Sequence, residues 1–287
     1  MDKRLLDVTA CPACREELRY SGESDPRRLI SGQLCCTGCG LVFPVEDEVA
    51  LLVPPETDLD WADWEREEGI ENLMTEWVSR NFNNYRTPGG LAFDPILQDF
   101  VNTLCALNGP IVDVASGPGG SWCVSMMEHG NTDGLFVMSD IGKVVMKVWR
   151  HQLRTVGWAD RCSLIVFDAR SMPFISGGIT AITSVGGLGS VKGDKRAYEE
   201  TARVLRPNGR LLELVMLYEE GGPTQKKKQE QGQVTTWFDY EALLHNLGLT
   251  IEKWNKYSAG RGKISPGDKY PQDDETWECR MVNAVRS

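Results

Sequence analysis

The sequence predicts an α/β protein: a doubly wound, mostly parallel sheet with a small metal-held unit at its N-terminus. Three observations carry this. Apolar runs that end in an acid or a glycine recur at 110–115, 135–140, 164–168 and 179–185, with helical segments interleaved. The first run opens into the glycine-rich turn Gly117-Pro118-Gly119-Gly120. Two Cys-x-x-Cys pairs stand within the first forty residues.

The N-terminal pairs are Cys11-Pro12-Ala13-Cys14 and Cys36-Thr37-Gly38-Cys39. Each can form a turn whose backbone amides point at the sulfurs, and two such knuckles complete a tetrahedral four-thiolate site that suits zinc. Gly40 supplies permissive backbone after the second knuckle. Cys35 adjoins the second pair, but only Cys36 and Cys39 keep the two-residue gap. Short strands follow, Leu18-Arg19-Tyr20 and Leu41 to Val45. So small a unit has too little core of its own, and metal binding supplies the missing free energy. Four cysteines leave no open coordination position, so the metal is expected to be structural. A redox dithiol would expect one pair beside a βαβ unit.

This segment resembles the small zinc-ribbon proteins that activate tRNA, rRNA and release-factor methyltransferases in trans. The resemblance covers residues 5–54, through Cys-Pro-x-Cys, then Cys-x-x-Cys-Gly-Leu-x-Phe-Pro-Val, and the closing Val49-Ala50-Leu51-Leu52-Val53-Pro54. Where that family has a glycine before the last apolar run, this chain has Glu48 or Val49.

Composition bounds the rest. The 287 residues can hold one mid-sized domain and an appendage. No run approaches a membrane-spanning length, and Met1-Asp2-Lys3-Arg4 leads into only a short apolar stretch, so neither a membrane anchor nor a secretory signal is expected. The expected address is cytoplasmic, and nine cysteines without a signal argue against a disulfide framework. A net charge of −10 and a pI near 5.0 disfavour a nucleic-acid partner. The one dense basic run, Lys226-Lys227-Lys228, reads as a solvated loop before it reads as a nucleic-acid contact.

The spacing divides the chain into a ribbon at 1–55, a helical linker and lid at 56–108, and the α/β domain at 109–287. In the linker, Trp61, Trp64, Ile70, Leu73 and Trp77 mark an acidic amphipathic helix. Residues 81–90, rich in Asn, Pro and Gly, read as a loop. Helix follows from Asp94 to Leu107.

The α/β domain brings its landmarks to one edge. The turn after Val112-Asp113-Val114-Ala115-Ser116 lies where nucleosides bind in sheets of Rossmann-like winding. Asp140 ends the next strand, about twenty residues on, where an acid can accept both ribose hydroxyls. Asp168 ends the third. The fourth, Ile179 to Val185, runs into Gly186-Gly187. A helix from Tyr198 to Leu205 then stops at Arg206-Pro207-Asn208-Gly209, before a strand from Arg210 to Leu217. Helix Tyr240 to Leu247 and strands near Leu249–Trp254 and Glu278–Val285 close the sheet, with Ser258–Asp274 as a polar surface loop.

From residue 90 onward the chain resembles class I S-adenosylmethionine-dependent methyltransferases, especially the quinone-biosynthesis-like group. The matching pieces are Val-Asp-Val-Ala-Ser-Gly-Pro-Gly-Gly, the strand ending at Asp140, Asp-Ala-x-x-Met-Pro-Phe, and Glu-x-x-Arg-Val-Leu-Arg-Pro-Asn-Gly-Arg-Leu. The resemblance implies S-adenosylmethionine as cofactor. Gly117 and Gly119 would back its methionine part, with Asp113 orienting the loop. Asp140 would hold the ribose, and Asp168 with Ala169 would face the adenine. Ala115, Ile141 and Ser184 join the cofactor set by the same analogy. Tyr85 and Arg86, just before the first strand, are candidates for substrate contact. In the family, the segment there lids the cofactor and touches substrate.

Two departures narrow the acceptor. Ser176-Gly177-Gly178 stands where the family usually has an acid. Ser184-Val185-Gly186-Gly187 lacks the Asn/Asp-Pro-Pro-aromatic motif of enzymes that methylate planar amide or exocyclic amine nitrogens. A small-molecule oxygen, carbon or thiol acceptor is therefore expected. The alternative is an RNA or protein substrate gripped through the ribbon. More remote are a non-catalytic scaffold and a nicotinamide-dependent oxidoreductase, the latter disfavoured because Trp122 stands where a third glycine would be needed. No catalytic residue is named, since methyl transfer can proceed largely by positioning. His129, His151 and His245 fall in helix-like segments and read as structural.

Overall fold

In a computed structural model, the chain is described over residues 1–58, 66–85, 94–129, 135–263, 271–272 and 274–287. The predicted linker tryptophans Trp61 and Trp64 lie outside these residues, as do Arg86 and the rest of 86–93.

The ribbon contributes β1 (Leu18–Ser24), β2 (Leu29–Cys36), β3 (Val42–Glu46) and β4 (Val49–Leu51). Helices α1 (Ile70–Asn84) and α2 (Pro95–Cys105) lead into the core. There β5 (Ile111–Asp113), α3 (Ser121–His129), β6 (Phe136–Asp140), α4 (Lys143–Thr155), β7 (Ser163–Val166), β8 (Ile179–Val185), α5 (Asp194–Val204) and β9 (Leu205–Tyr218) follow. The chain ends in α6 (Pro223–Glu230), α7 (Trp237–Asn246), β10 (Leu249–Arg261) and β11 (Thr276–Arg286).

The eleven described strands form one sheet in the order β1-β2-β3-β4-β7-β6-β5-β8-β9-β11-β10. The six strands from β4 to β9 in that order run parallel, the predicted winding. Antiparallel strands flank them: the ribbon at one end and the β10–β11 hairpin at the other. The ribbon therefore does not sit apart. Its last strand extends the α/β sheet, Val49 beside Leu164 and Leu51 beside Val166.

Alternation along the strands fills both faces, because successive side chains point to opposite sides. Val112, Val137 and Ile165 join one core with the ribbon residues Leu18, Leu34 and Phe43 and with Tyr198 of α5 and Tyr240 of α7. Ile111, Phe136, Met138 and Leu164 face the other way, onto Val78 of α1, Phe100 of α2, Trp122 of α3 and Trp149 of α4.

Four segments differ from the expectation. Residues 81–84, predicted as loop, are the last turn of α1, because Phe82 packs edge-on against Trp158 and buried Tyr85 closes the helix. Arg206–Gly209 are not a break between helix and strand but a bulge within β9. Ile179 pairs with Leu205 while Ala181 pairs with Arg210, and Asn208 takes φ 60° to turn the bulge. Lys226–Lys228 are helical, in α6, and Lys228 is drawn inward to Gln233 and the ring of Tyr218. Residues 258–261 continue β10.

Candidate cofactor cleft and metal centre

Strand β5 ends at Asp113, which is buried beneath the glycine turn. Its carboxylate accepts from Thr183 of β8 at 2.9 Å, from Cys123 of α3 at 3.2 Å, and from the Ser116 hydroxyl. Burial pushes this carboxyl up to about 7, against the pull of those donors. One side chain thus pins the turn to two neighbouring elements.

The turn itself runs through left-handed backbone at Ala115 (φ 55°) and Gly117 (φ 54°). The Ser116 amide donates to the Ser139 carbonyl at 2.8 Å. The Gly117 amide donates to Asp140 at 2.9 Å, and its carbonyl accepts from the Trp149 indole at 2.9 Å. That indole explains Gly120: a Cβ there would lie 2.5 Å from the Trp149 ring. From α1, Asn81 donates to the Pro118 carbonyl at 3.0 Å.

Above the carboxyl ends of β5, β6, β7 and β8 lies a cleft of about 290 Å³. Its walls are Val114 and Ala115 from the turn, Asp140 and Ile141 after β6, Phe167 and Ala169 after β7, and Gly187, Ser190 and Val191 after β8. Asp140 is the one acid in the lining among the described residues. One of its oxygens accepts from the Gly117 amide at 2.9 Å and the other from the Gly142 amide at 2.8 Å, and the Ile141 amide also favours its charged form. A carboxylate has about four lone-pair sites, so acceptor capacity remains for a ligand hydroxyl. Burial raises its pKa above the usual carboxylate range.

Of the predicted cofactor set, the structure brings Ala115, Asp140, Ile141 and Ala169 into this lining. Asp113 and Gly117 stand behind it as supports. Ser184 is buried, donating to the Val114 carbonyl and accepting from the Leu188 amide, both within 2.9 Å, so it braces the loop after β8. Asp168 is clasped by Arg170, at 3.0 Å from Nε and 2.7 Å from the terminal nitrogen, while its neighbours Phe167 and Ala169 form the wall. Gly119 has open space where a Cβ would stand. Tyr85 is buried with its hydroxyl on Ser125 and does not reach the lining. Arg86 lies outside the described residues. His151 on α4 and His245 on α7 are also absent from the lining.

Sequence reasoning missed Val114, Phe167, Gly187, Ser190 and Val191. Gly187 had a visible signal, a second glycine at a strand end. A Cβ there would lie 2.5 Å from the Ala115 carbonyl oxygen, so the glycine lets two loops meet. Phe167 and Val114 read only as strand residues, and Val191 follows no motif.

In the ribbon, the sulfurs of Cys11, Cys14, Cys36 and Cys39 all lie within 4.8 Å of one another. Cys11 and Cys39 are 3.7 Å apart, Cys14 and Cys36 3.3 Å. A tetrahedral zinc with bonds of about 2.3 Å separates its sulfurs by about 3.8 Å, so the four thiols fit that ion. The Cys36 sulfur, though partly desolvated, accepts from the Cys39 amide at 3.4 Å and lies beside Cys14, which brings its pKa down to about 6. Cys35 sits in β2 between Arg19 and Val42 and takes no part.

Comparisons with known proteins agree with this geometry. The family described as a methyltransferase domain matches residues 112–212, and the Trm112p-like protein family matches residues 2–48. A ubiquinone/menaquinone biosynthesis C-methyltransferase of Hahella chejuensis is 31% identical over 104 residues, covering 36% of this chain and 41% of its own. That of Pseudomonas entomophila is 29% identical over 174 residues, covering 61% of this chain and 63% of its own. The chain thus spans less than two thirds of these relatives' length. Among solved structures, the geranyl diphosphate C-methyltransferase of Streptomyces coelicolor, in complex with S-adenosyl-L-homocysteine, shares the fold. Its TM-score is 0.51 at 14% identity, covering 66% of this chain and 74% of that one. The chain joins a methyltransferase domain to a Trm112p-like zinc ribbon.

Proposed function

We propose that this chain transfers a methyl group from S-adenosylmethionine to a small-molecule acceptor. The observation that carries the reading is Asp140, the one acid of the cleft among the described residues, set at the end of β6 on the backbone amides of Gly117 and Gly142 and facing the glycine turn. A ribose diol needs an acceptor of this kind, and a flat base needs apolar walls of the kind Ile141, Phe167, Ala169 and Val191 provide. The cofactor supplies a methyl group on a sulfonium, an already activated leaving group. The chain's own share is positioning. Asp140 would fix the ribose, Ala115 and Gly117 the methionine end, and the turn pinned by Asp113 would hold both at constant spacing.

The names of the matched relatives support carbon as the accepting atom, and the acidic charge of the chain supports a small molecule over RNA. Nine free cysteines support a reducing, cytoplasmic setting. No described helix is long and apolar enough to cross a membrane. One observation favours a second reading: the Trm112p-like match supports an RNA or protein acceptor, held through the ribbon. The two separate in a transfer assay with methyl-labelled S-adenosylmethionine, zinc-loaded protein, and parallel pools of phenolic metabolites and of RNA. Label in a low-molecular-weight product supports the first reading, and label confined to RNA or protein replaces it with the second.

A further inference from the structure

We infer that Arg15 is a positioning residue for the cofactor cleft, and that through it metal binding in the ribbon and cofactor binding in the cleft are linked. This rests on the reading of the cleft as an S-adenosylmethionine site.

The chain leaving β7 supplies Phe167 and Ala169 to the cleft wall and then makes one tight turn, Ala169–Ser171, closed by the Ser171 amide on the Asp168 carbonyl at 2.9 Å. The far side of that same turn touches the first cysteine knuckle. The Ser171 hydroxyl donates to the Pro12 carbonyl at 2.6 Å, between Cys11 and Cys14. Just beyond, the Ala10 amide donates to Pro173 and the Ile175 amide to Val8, both at 2.9 Å. One short turn therefore has the cleft on one side and the knuckle on the other.

Arg15 locks this contact. Its own amide closes the knuckle on the Cys11 carbonyl at 2.9 Å, and its left-handed backbone (φ 70°) sends the side chain back across the loop. The guanidinium donates to the Met172 carbonyl at 2.6 Å, to Glu200 of α5 at 2.9 Å and to the Ser171 hydroxyl at 3.3 Å. Glu200 is buried and also holds Arg203 at 2.8 Å. Arg203 in turn takes the carbonyls of Met172 at 3.0 Å and Phe174 at 2.7 Å. Two arginines on one buried carboxylate thus fix the backbone that leads out of the cleft. One of them stands next to Cys14, so the knuckle's conformation, set by the metal, sets the direction of its side chain.

Linkage of this kind is reciprocal: whatever factor the metal gives to cofactor affinity, the cofactor gives back to metal affinity. The test is calorimetric titration with S-adenosylhomocysteine of the full chain, zinc-loaded and after chelation, for wild type, Arg15→Met, Arg15→Lys and Ser171→Ala. Metal content and circular dichroism are recorded for each sample. The expected result is about tenfold weaker binding by zinc-loaded Arg15→Met, within the usual range of coupling, with partial recovery in Arg15→Lys. Chelation should weaken the wild type by a similar factor and add little in Arg15→Met. Ser171→Ala lies outside the knuckle and reports on the same contact where Arg15→Met loses its zinc. Affinity indifferent to Arg15, Ser171 and zinc overturns the inference while leaving the cofactor assignment intact. Failure of the zinc-loaded wild type to bind at all overturns both.

Discussion

The ribbon and the cofactor cleft are built on opposite plans. In the ribbon, chemistry resides in four side chains, and the backbone around them is brought together by the metal those thiols suit. In the cleft, chemistry resides in backbone conformation. Ala115, Gly117 and Gly187 matter for what their main chain can do, and the carboxylates of Asp113 and Asp140 serve first to hold amides and hydroxyls. What joins the two is burial. Leu34 and Phe43 of the ribbon share one core with Val112 and Phe174 of the α/β layer. A unit too small to fold alone has been given both a metal and a neighbour's core.

The sharpest way to break that comparison is to remove the metal. Cys36→Ser should abolish zinc binding and cost several kcal/mol, since structural zinc sites contribute folding free energy directly. Because sheet and core are shared, calorimetry should show one unfolding transition displaced to lower temperature. A separate low-temperature transition would show the ribbon to be independent. Next in size is Glu48→Ala. Glu48 is buried at the end of the ribbon, bonded to Arg28, Arg150 and Arg154, and its loss strands charges inside the joint. A cost of about 3–5 kcal/mol in urea denaturation is expected. In the cleft, Asp140→Ala should weaken S-adenosylhomocysteine binding by roughly 1.5–3 kcal/mol. Unaltered affinity there would show Asp140 to be misassigned. Gly187→Ala should cost about 1–3 kcal/mol of stability, as its Cβ meets the Ala115 carbonyl.

One further effect is a pH dependence carried by neither region. Glu213 on β9 is buried between the hydroxyls of Tyr198 and Tyr240, and burial pushes its pKa up to about 7. The folded protein then holds a proton that the unfolded chain releases near pH 4.5. Glu213 therefore contributes a loss of stability as pH rises from about 4.5 to about 7, and none of further size above that. Glu213→Gln should flatten this part of the profile, measured by denaturation at pH 5, 6, 7 and 8. An unchanged slope would assign it to other groups.

These differences also decide what could be read in advance. The four cysteines were legible because a metal demands residue types at fixed spacing. The place of Asp140 in the cleft was legible because it ends an apolar run one strand after the glycine turn, and the parallel strands because their apolar runs end where glycines and acids begin. The edge contact between β4 and β7 was not legible, since three apolar residues carry no address for the strand they will join. Phe167 and Val191 were hidden for a similar reason: an apolar wall and an apolar core use the same residues. Asp168 is the opposite case. Its position marks the cleft, but its charge is spent on Arg170 two residues away, and the wall is made by its neighbours. The last turn of α1 has the sequence of a loop, since Asn81, Asn83 and Asn84 favour turns, whereas packing of Phe82 and Tyr85 makes it helical.

The most direct test of the central claim is calorimetric titration of the zinc-loaded protein with S-adenosylhomocysteine, with NADH as the control ligand. Micromolar binding of S-adenosylhomocysteine at one site, with none of NADH, is the predicted result. No binding of S-adenosylhomocysteine, or equal binding of NADH, would contradict the account.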